Sequence, residues 1–382
     1  MNRRPPLIGI DASRAATRAP TGTEAYSYHL IRALAPLLAP RHRVRLYFRE
    51  SPDSSRAMKG AWAQGLAAHA EARTMPFPRA WTHLRLSWEM LRHPPDLLFV
   101  PAHVLPLARP ARTLVTVHDL GYRHYPEAHP FVQRRYLELS TRWNVRVASH
   151  ILADSEATRA AILSTYHVKA DRVTVVYPGY EPDLAPVRDP EAIEATKHRY
   201  GIHGPYILFV GRIQPRKNLT RLIEAFAGLL PHHPEISLVL AGPTGWLSEE
   251  IEARAQAEDV RGSVLFTGYI APEDKAALIS GARLFAYPSL YEGFGFPALE
   301  AQACGTPLLT STTSSLPEVA GEGALLVDPE DVAALTAGLG QLLDDEALRK
   351  ELIKLGYENL RRFSWRAAAE QTMDIIAKLL QT

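Results

Sequence analysis

Two glutamates and two glycines stand close together in the stretch from Leu284 to Glu300. This stretch predicts a short strand, a turn with Glu292, Gly293 and Gly295, and a helix that begins at Pro297, since proline suits a first helical turn. The unpaired N–H groups and the dipole of such a helix end attract an anion, most often a phosphate. Glycines let the backbone approach a ligand closely, and the carboxylates can accept hydrogen bonds from sugar or ribose hydroxyls. The pattern therefore predicts a cradle for a nucleotide sugar.

Two other interpretations fit the same turn. Gly293-Phe-Gly-Phe-Pro-Ala298 matches the dinucleotide fingerprint G-x-G-x-x-A, and Glu318 lies at about the required distance beyond it. That fingerprint needs its first glycine directly after the strand, whereas the residues from Ser289 to Glu292 intervene here. The turn would also serve as a simple entry to a core helix, without any ligand.

Cations follow another predicted strand, Ile207 to Val210. Gly211-Arg212 comes directly after it, and Lys217 lies in the same tight loop. Because the carboxyl ends of parallel strands share one edge of a sheet, we expect this loop beside the cradle. A diphosphate leaving group needs such cations, since negative charge builds up on it as the bond breaks. Without the cradle, the loop would be an ordinary solvated basic segment.

The composition is that of an ordinary soluble globular protein. The chain has 382 residues, too many for one hydrophobic core, and 46% of them are hydrophobic and 22% charged. No apolar run is long enough to span a bilayer, and the run near the N-terminus is too short for a signal peptide. A single cysteine, Cys304, excludes an internal disulfide and favours the reducing cytoplasm.

Charge is distributed unevenly along the chain. Residues 1–178 hold 25 Lys and Arg against 13 Asp and Glu, a net charge of +12, and the remainder holds 18 against 28, a net charge of −10. A basic half suits an acceptor at an anionic membrane surface, although the two halves would also attract each other. Within it, the segment from Arg79 to His93 predicts a helix that either lies on a membrane surface or packs its tryptophans into the core. One face would carry its large apolar residues, Trp81, Leu84, Trp88 and Leu91.

Strands alternate with helices in two series, which predicts two doubly wound domains with parallel sheets. We place the first domain at residues 1–178, a linker at 179–204 and the second domain at 205–362, with a final helix at 363–382 that returns to the first. In the first domain, Gly22 lies in the turn between a strand and a helix, where a phosphate would bind. His118 follows the strand predicted from Thr113 to Val117, at the edge where ligands bind.

These motifs together resemble the retaining glycosyltransferases of family four. The resemblance rests on Gly211-Arg212 with Lys217, on Glu292 and Glu300 with seven residues between them, and on the glycine turn between the glutamates. Further matches cover nearly the whole chain in order, among them Val117-His118-Asp119, Ser155-Glu156, Pro178-Gly179, Cys304-Gly-Thr-Pro307, Ser315-Leu-Pro-Glu318 and Gly323 to Pro329. The first phosphate turn departs from the family, because many members have Gly-Gly where this chain has Thr21-Gly22. The resemblance implies an α/β chain with the GT-B architecture, in which two Rossmann-like domains face each other across a cleft.

The resemblance also implies a role for each site residue. Arg212 and Lys217 would bind and stabilise the donor diphosphate, with Gly22 as a further phosphate contact. Glu300 would accept hydrogen bonds from the ribose. The remaining residues would hold the donor sugar (Glu292, Gly293, Phe294, Gly295 and, near the 6-hydroxyl, His118) or lie near the base (Tyr269 and Ile270).

The stretch from Val117 to Pro126 and the aromatic helix before it resemble the mannosyltransferase-like branch of the family, which builds bacterial surface polysaccharides. We therefore expect a hexosyltransferase that uses a nucleotide sugar, with GDP-mannose favoured over UDP-glucose and other hexose donors. Members of the family retain the anomeric configuration and need no metal, which agrees with the missing D-x-D motif and with a front-face mechanism. The acceptor would be a glycan or lipid-linked glycan at the inner face of the cytoplasmic membrane, and no nucleic acid is expected as a partner. A nucleotide-sugar epimerase of the same fold and a silent sugar-nucleotide-binding subunit are the alternatives.

Overall fold

The structure, a computed structural model, describes residues 4–17, 22–54, 56–102, 104–128 and 130–381. The chain forms two compact units. The first contains residues 1–120, 132–179 and 363–382, and the second contains residues 121–131 and 180–362. Each unit is built on one parallel β-sheet.

The strands and helices alternate along the chain as predicted. The strands are β1 (Leu7–Asp11), β2 (Arg43–Phe48), β3 (Glu71–Thr74), β4 (Leu97–Val100), β5 (Thr113–Val117), β6 (His150–Ala153), β7 (Val173–Val175), β8 (Tyr206–Val210), β9 (Ser237–Ala241), β10 (Val264–Gly268), β11 (Leu284–Tyr287), β12 (Leu308–Ser311) and β13 (Leu325–Val327). The helices are α1 (Gly22–Leu38), α2 (Arg56–Ala63), α3 (Ser87–Arg92), α4 (Gly121–His124), α5 (Phe131–Val147), α6 (Glu156–Tyr166), α7 (Pro190–Arg199), α8 (Leu219–Ala227), α9 (Glu249–Ala255), α10 (Pro272–Ser280), α11 (Phe296–Ala303), α12 (Leu316–Ala320), α13 (Val332–Asp344), α14 (Glu346–Leu360) and α15 (Trp365–Gln381).

The two sheets have the same strand order, except that the first carries one additional edge strand, β7. The first has the order β3-β2-β1-β4-β5-β6-β7 and the second has the order β10-β9-β8-β11-β12-β13. All of their pairings are parallel, and the order reverses next to the first strand of each series. The central strands β4, β5, β8 and β11 are buried along their whole length, because helices cover a doubly wound sheet on both faces. The predicted pair of doubly wound domains is confirmed.

The segment predicted as a helix from Arg79 to His93 is helical from Thr82 to Arg92, but its predicted apolar face is wrong. A π-helical turn occupies Thr82–Leu86, and the regular helix α3 follows it. Trp81 stands before this turn and is buried, with its indole N–H donating to the Met75 carbonyl at 2.7 Å. Trp81 therefore does not share an exposed face with Leu84, Trp88 and Leu91.

The chain leaves the first unit after Gly179 and returns to it at Phe363. Helix α15 packs on α1 in the first unit, and the Trp365 ring stacks on His29 with 5.2 Å between centroids. A Cβ at Gly179 would lie 2.5 Å from the Trp365 backbone nitrogen, so this crossing needs a glycine. Residues 121–131 group with the second unit, unlike in the predicted cut at residue 178, and in that unit His124 stacks on Tyr291.

No helix among the described residues is both long and apolar enough to cross a bilayer. Among the same residues, no group of three or more His, Cys, Asp or Glu side chains is placed to hold a metal ion.

Candidate active site

Arg212 follows β8 at the carboxyl edge of the second sheet. Its loop packs against the loop after β9, where a Cβ at Gly242 would lie 2.0 Å from the Gly211 carbonyl oxygen. Gly242 also has a φ of 143°, which favours glycine. The Arg212 side chain is half-buried and forms no hydrogen bond or ion pair with any described residue. The Arg212 guanidinium is therefore available to bind an anionic ligand.

Lys217 lies in the same loop but is engaged by the protein. Its ammonium donates to Glu292 Oε1 at 2.5 Å and to the Tyr287 hydroxyl at 2.7 Å. The Tyr287 hydroxyl in turn donates to the same Glu292 oxygen at 3.0 Å. Burial, and then the nearby Glu292 carboxylate, raise the pKa of Tyr287 well above its ordinary value, so this hydroxyl stays protonated. The three buried side chains form a closed triangle, and Lys217 is fixed in place by the carboxylate.

Glu292 is charged although it is buried. Burial alone would raise its pKa, but Lys217 and Arg216 outweigh burial and lower the pKa of Glu292 to about 2. The Arg216 guanidinium lies 3.5 Å from Glu292 Oε2 and also donates to the Tyr291 carbonyl at 2.9 Å. Two cations from one loop, Lys217 and Arg216, therefore face a single carboxylate, and this cluster keeps a positive balance.

Glu300 presents one carboxylate oxygen without a partner. Its Oε1 accepts a hydrogen bond from Lys275 of α10. Its Oε2 is buried and has no hydrogen-bond partner among the described residues. A buried acceptor of this kind costs free energy unless a donor reaches it. Lys275 thus holds the carboxylate, and the second oxygen is suited to a ligand hydroxyl.

The glycine turn ends at Gly295, which has a φ of 106° and precedes α11. That helix begins at Phe296, so Pro297 is one residue further into the first turn than predicted. Hydroxyls after β12 hold the turn. Ser315 donates to the carbonyls of Glu292 at 2.9 Å and Phe294 at 2.8 Å, and Ser314 accepts from the Glu292 N–H at 2.9 Å. The backbone of Gly293 and its neighbours is therefore held in one shape.

The residues predicted to lie near the base follow β10 at the same edge of the sheet. Tyr269 is 63% exposed, whereas Ile270 is buried. Gly268 just before them has a φ of 68° and turns the chain at the end of the strand. The exposed ring of Tyr269 and the backbone of Ile270 therefore both lie at the carboxyl edge of the second sheet.

His118 belongs to the first unit, at the carboxyl end of β5. Its Nδ1 lies 2.5 Å from Asp154 Oδ2, and its Nε2 lies 3.0 Å from the Pro101 carbonyl oxygen. A carbonyl oxygen only accepts, so Nε2 carries a proton. Burial would lower the pKa of His118, but the Asp154 carboxylate raises it overall. Both ring nitrogens are thus occupied by protein acceptors, with Asp154 fixing the ring.

Gly22, the predicted phosphate contact of the first unit, is the first residue of α1 and is exposed. Thr21, its partner in the predicted turn, lies outside the described residues.

Comparison with known proteins decides the family. A profile described as glycosyltransferase family 4 matches residues 20–184, and one described as glycosyl transferases group 1 matches residues 194–359. O-antigen chain mannosyltransferase B of Escherichia coli is 33% identical over 76% of this chain and 76% of its own length. The chain belongs to glycosyltransferase family 4.

Other relatives of this family 4 member extend the comparison. The serotype-specific mannosyltransferase WbdA of Escherichia coli is 30% identical over 72% of this chain, which spans only 34% of that longer protein. The structure of HepE from Anabaena, in complex with UDP and glucose, superposes with a TM-score of 0.73 at 20% identity and covers 98% of this chain and 100% of that one. The likeness to HepE supports the predicted GT-B fold, and the chain is a glycosyltransferase.

Several residues of this glycosyltransferase site escaped the sequence analysis. Tyr287 reads only as the end of a buried strand, and Lys275 as an ordinary lysine on a polar helix face. Arg216 was visible between Arg212 and Lys217 but had no assigned role. Ser314 and Ser315, which hold the glycine turn, also had no assigned role. The available signal for them was the run of hydroxyl residues from Thr310 to Ser315, because such a run after a buried strand needs hydrogen-bond partners for its side chains.

Proposed function

We propose that this glycosyltransferase moves mannose from GDP-mannose to a hydroxyl of a glycan or lipid-linked glycan. Two relatives named as mannosyltransferases, at 33% and 30% identity, support mannose as the sugar. The fold-level neighbour HepE holds UDP and glucose, so a UDP-linked hexose is the competing donor. The observation that carries the proposal is the pair of cations at Glu292, Lys217 and Arg216, with Arg212 in the same loop and unpaired among the described residues.

In the proposed site, the cations receive the donor diphosphate. Guanidinium groups bind phosphate oxygens in a bidentate way, and no residue in the described part of the chain competes for Arg212. Lys217 is held by Glu292 and Tyr287, so it meets the leaving phosphate in a fixed position. Positive groups that are already in place stabilise charge as it develops, without reorganisation.

The same proposal assigns contacts to the rest of the donor. The unpartnered oxygen of Glu300 accepts a ribose hydroxyl, which satisfies a buried acceptor. The turn from Gly293 to Gly295 holds the sugar, and Glu292 contributes through Oε2, because Oε1 is engaged by Lys217 and Tyr287. The base lies against Tyr269 and Ile270. Gly22 contacts phosphate at the start of α1.

His118 meets the sugar only by exchanging a protein contact. Its Nε2 proton is donated to the Pro101 carbonyl, and a sugar hydroxyl would take the place of that carbonyl. Asp154 keeps the ring in position throughout, through Nδ1. We therefore assign His118 a binding role near the 6-hydroxyl, with Asp154 as its positioning residue.

Transfer proceeds with retention by a front-face mechanism. A double displacement needs a carboxylate nucleophile close to the anomeric carbon. Near His118 the buried carboxylate is Asp154, whose Oδ2 is already bonded to the histidine. In the front-face route, the departing phosphate oxygen accepts the proton of the acceptor hydroxyl as the new bond forms on the same face. The cations stabilise the departing diphosphate, and the chemistry requires no metal.

The acceptor lies at a membrane in this proposal. Leu84, Trp88 and Leu91 are between 52% and 66% exposed and follow one another at helical spacing. The Arg92 guanidinium lies 4.6 Å from the centre of the Trp88 ring, which places a cation beside the apolar groups. Aromatic, aliphatic and basic side chains in one stripe suit an anionic lipid surface. We place the enzyme peripherally, at the inner face of the cytoplasmic membrane.

The experiment compares Arg212→Gln and Lys217→Gln with the wild type. GDP release from GDP-mannose is followed in EDTA and, separately, with Mg²⁺. Turnover should fall roughly 10²-fold or more in each variant, as on loss of an oxyanion donor, while donor affinity falls less. Wild-type activity should survive EDTA unchanged.

Arg261→Gln is the matched control, because Arg261 is exposed in the same unit and away from the site. Wild-type turnover in both site variants would refute the role of the cations. An enzyme that EDTA inactivates and Mg²⁺ restores would refute the metal-free mechanism.

A further inference from the structure

The predicted linker belongs to the second unit from residue 180 onward, and there its helix α7 packs on α10. We call residues 180–204 the connecting segment. Its Val187 N–H donates to the Ser280 hydroxyl at the end of α10, at 3.0 Å. Just beyond that helix, a Cβ at Gly281 would lie 2.5 Å from Cγ2 of Ile193 in α7. The connecting segment therefore lies in close contact with the C-terminal end of α10.

The other end of α10 is held by the residues at the end of α7. Asp274, in the first turn of α10, is buried, and its Oδ2 accepts a hydrogen bond from the Tyr200 hydroxyl at 2.8 Å. Its Oδ1 accepts a hydrogen bond from the Arg199 guanidinium. A buried carboxylate is costly unless it is paired and hydrogen-bonded, and these two side chains supply that pairing. The position of the first turn of α10 is therefore coupled to the end of α7.

The Tyr200 hydroxyl also binds the backbone that leads into α10. It accepts a hydrogen bond from the Ala271 N–H at 3.0 Å. That N–H belongs to the same planar trans peptide as the Ile270 carbonyl, so the hydrogen bond fixes the direction of the carbonyl as well. Pro272 follows as the first residue of α10, and its ring restricts the backbone on the other side of Ala271.

Helix α10 is joined to both groups that we propose to bind the nucleoside. Tyr269 and Ile270, against which the base would lie, come shortly before it in the chain. Lys275, which follows Asp274 in the helix, donates to Glu300, the carboxylate proposed to bind the ribose. A shift at the start of α10 would thus displace the base contacts and the ribose contact together.

We propose that Tyr200 is a positioning residue for the nucleoside of the donor, and that it acts through α10. Its hydroxyl fixes the start of this helix, which in turn fixes the peptide at Ile270 and the carboxylate of Glu300. The diphosphate would bind to cations of a different loop, the one after β8, so its affinity does not depend on Tyr200. The proposal rests on the donor contacts proposed above and assigns a further residue to the nucleoside half of that site.

The test compares the dissociation constants of GDP and inorganic diphosphate for the wild type and Tyr200→Phe. The wild type should bind GDP more tightly, because GDP adds the nucleoside contacts. Tyr200→Phe keeps the ring and removes the hydroxyl, so it should weaken GDP binding about tenfold, the effect of one lost hydrogen bond. Binding of inorganic diphosphate should stay the same, whereas a general loosening of the unit would weaken both ligands alike.

Arg199→Gln is a second variant, and it decides the test if Tyr200→Phe does not fold. The Arg199 side chain is 57% exposed and binds the other oxygen of Asp274, so its loss should weaken GDP binding about threefold, as for a partly exposed ion pair. Tyr357→Phe is the matched control, since Tyr357 is an exposed tyrosine of the same unit. Its affinities for both ligands should match those of the wild type.

Unchanged GDP affinity in a folded Tyr200→Phe, or equal weakening of both ligands, overturns the proposal. A titration with UDP separates this failure from that of the proposed function. A wild type that binds UDP in place of GDP contradicts the proposed donor, and the same comparison made with UDP then decides the role of Tyr200. A wild type that binds neither nucleotide contradicts the proposed function and this inference with it.

Discussion

Glu292 is the residue on which the donor site depends most. It anchors Lys217 and Tyr287 through one oxygen and faces Arg216 with the other. Removal of one partner from a buried ionic cluster leaves uncompensated charge behind, which is costly. The cluster joins residues 75 positions apart in the chain, Lys217 and Glu292. Sequence reasoning found both residues but assigned them separate ligands, because spacing alone does not show which side chains meet.

The first prediction concerns the pH dependence of stability. The folded pKa of Glu292, about 2, lies below its ordinary value of 4.5. Its stabilising contribution is therefore complete above pH 4.5 and is lost as the pH falls toward 2. The difference of about 2.5 pKa units corresponds to roughly 3 kcal/mol. Glu292→Gln should lower the free energy of unfolding by about this amount at pH 7, and by much less at pH 3.

Chemical denaturation at the two pH values measures the effect. Glu322→Gln, a change at an exposed glutamate of the same unit, serves as the control and should be nearly neutral at both. A loss for Glu292→Gln that is equal at pH 7 and pH 3 would show that the charge is not responsible.

At the scale of elements, the glycine turn depends on the segment after β12. Its hydroxyls hold the turn from behind, and Ser315 alone bonds two of its carbonyl groups. The turn therefore depends on two separate segments of the chain, its own residues and the hydroxyls after β12. In the sequence, only its glycines mark it as a turn.

Ser315→Ala tests this support. It removes a buried hydroxyl and leaves two carbonyl groups with one donor fewer, which should cost about 1–3 kcal/mol of stability. The donor KM should rise, because the turn that holds the sugar loses its fixed shape. Thr312→Ala is the matched control, since Thr312 is exposed in the same run and should change neither quantity. A Ser315→Ala enzyme with an unchanged KM and unfolding free energy would contradict the assignment.

Most strands were predictable because buried parallel strands are short, continuous apolar runs. The helix α5 was not predicted, and its contacts show why. Its buried residues include the polar Thr141 and Asn144, whereas Val132 and Leu139 are exposed. Asn144 accepts a hydrogen bond from the Leu105 backbone N–H at 2.9 Å, so a polar residue on the buried face is stable. Because polar residues lie on the buried face and apolar residues on the exposed face, the helix cannot be recognised from an apolar face in the sequence. The π-helical turn at Thr82–Leu86 likewise broke the assumed spacing around Trp81.

At the scale of the whole molecule, the proposed function requires the basic part of the chain to lie at a membrane. Residues 1–178 carry a net charge of +12, and the stripe of Leu84, Trp88 and Leu91 is exposed there. Attraction of basic residues to anionic lipid contributes about 1 kcal/mol each near the surface and is screened by salt, whereas apolar insertion is not.

Vesicle flotation tests the membrane assignment. The wild type should float with anionic vesicles at low salt, float partly at high salt, and remain unbound with neutral vesicles. Trp88→Ser should abolish the part that persists at high salt without unfolding the chain, because Trp88 is exposed. Leu247→Ser, at an exposed leucine of the second unit, should behave as the wild type. No flotation with anionic vesicles at low salt would contradict the assignment.

The most direct test of the central claim is a panel of nucleotide sugars scored by the stability that each confers. GDP-mannose, GDP-fucose, UDP-glucose and UDP-galactose are each added to the wild type and to Arg212→Gln, and the free energy of unfolding is measured. A donor at a hundredfold excess over its Kd should stabilise the fold by about 2.7 kcal/mol. We expect that GDP-mannose gives the largest stabilisation and that Arg212→Gln loses most of it. Stabilisation by UDP-glucose alone, or by no nucleotide sugar at all, would contradict it.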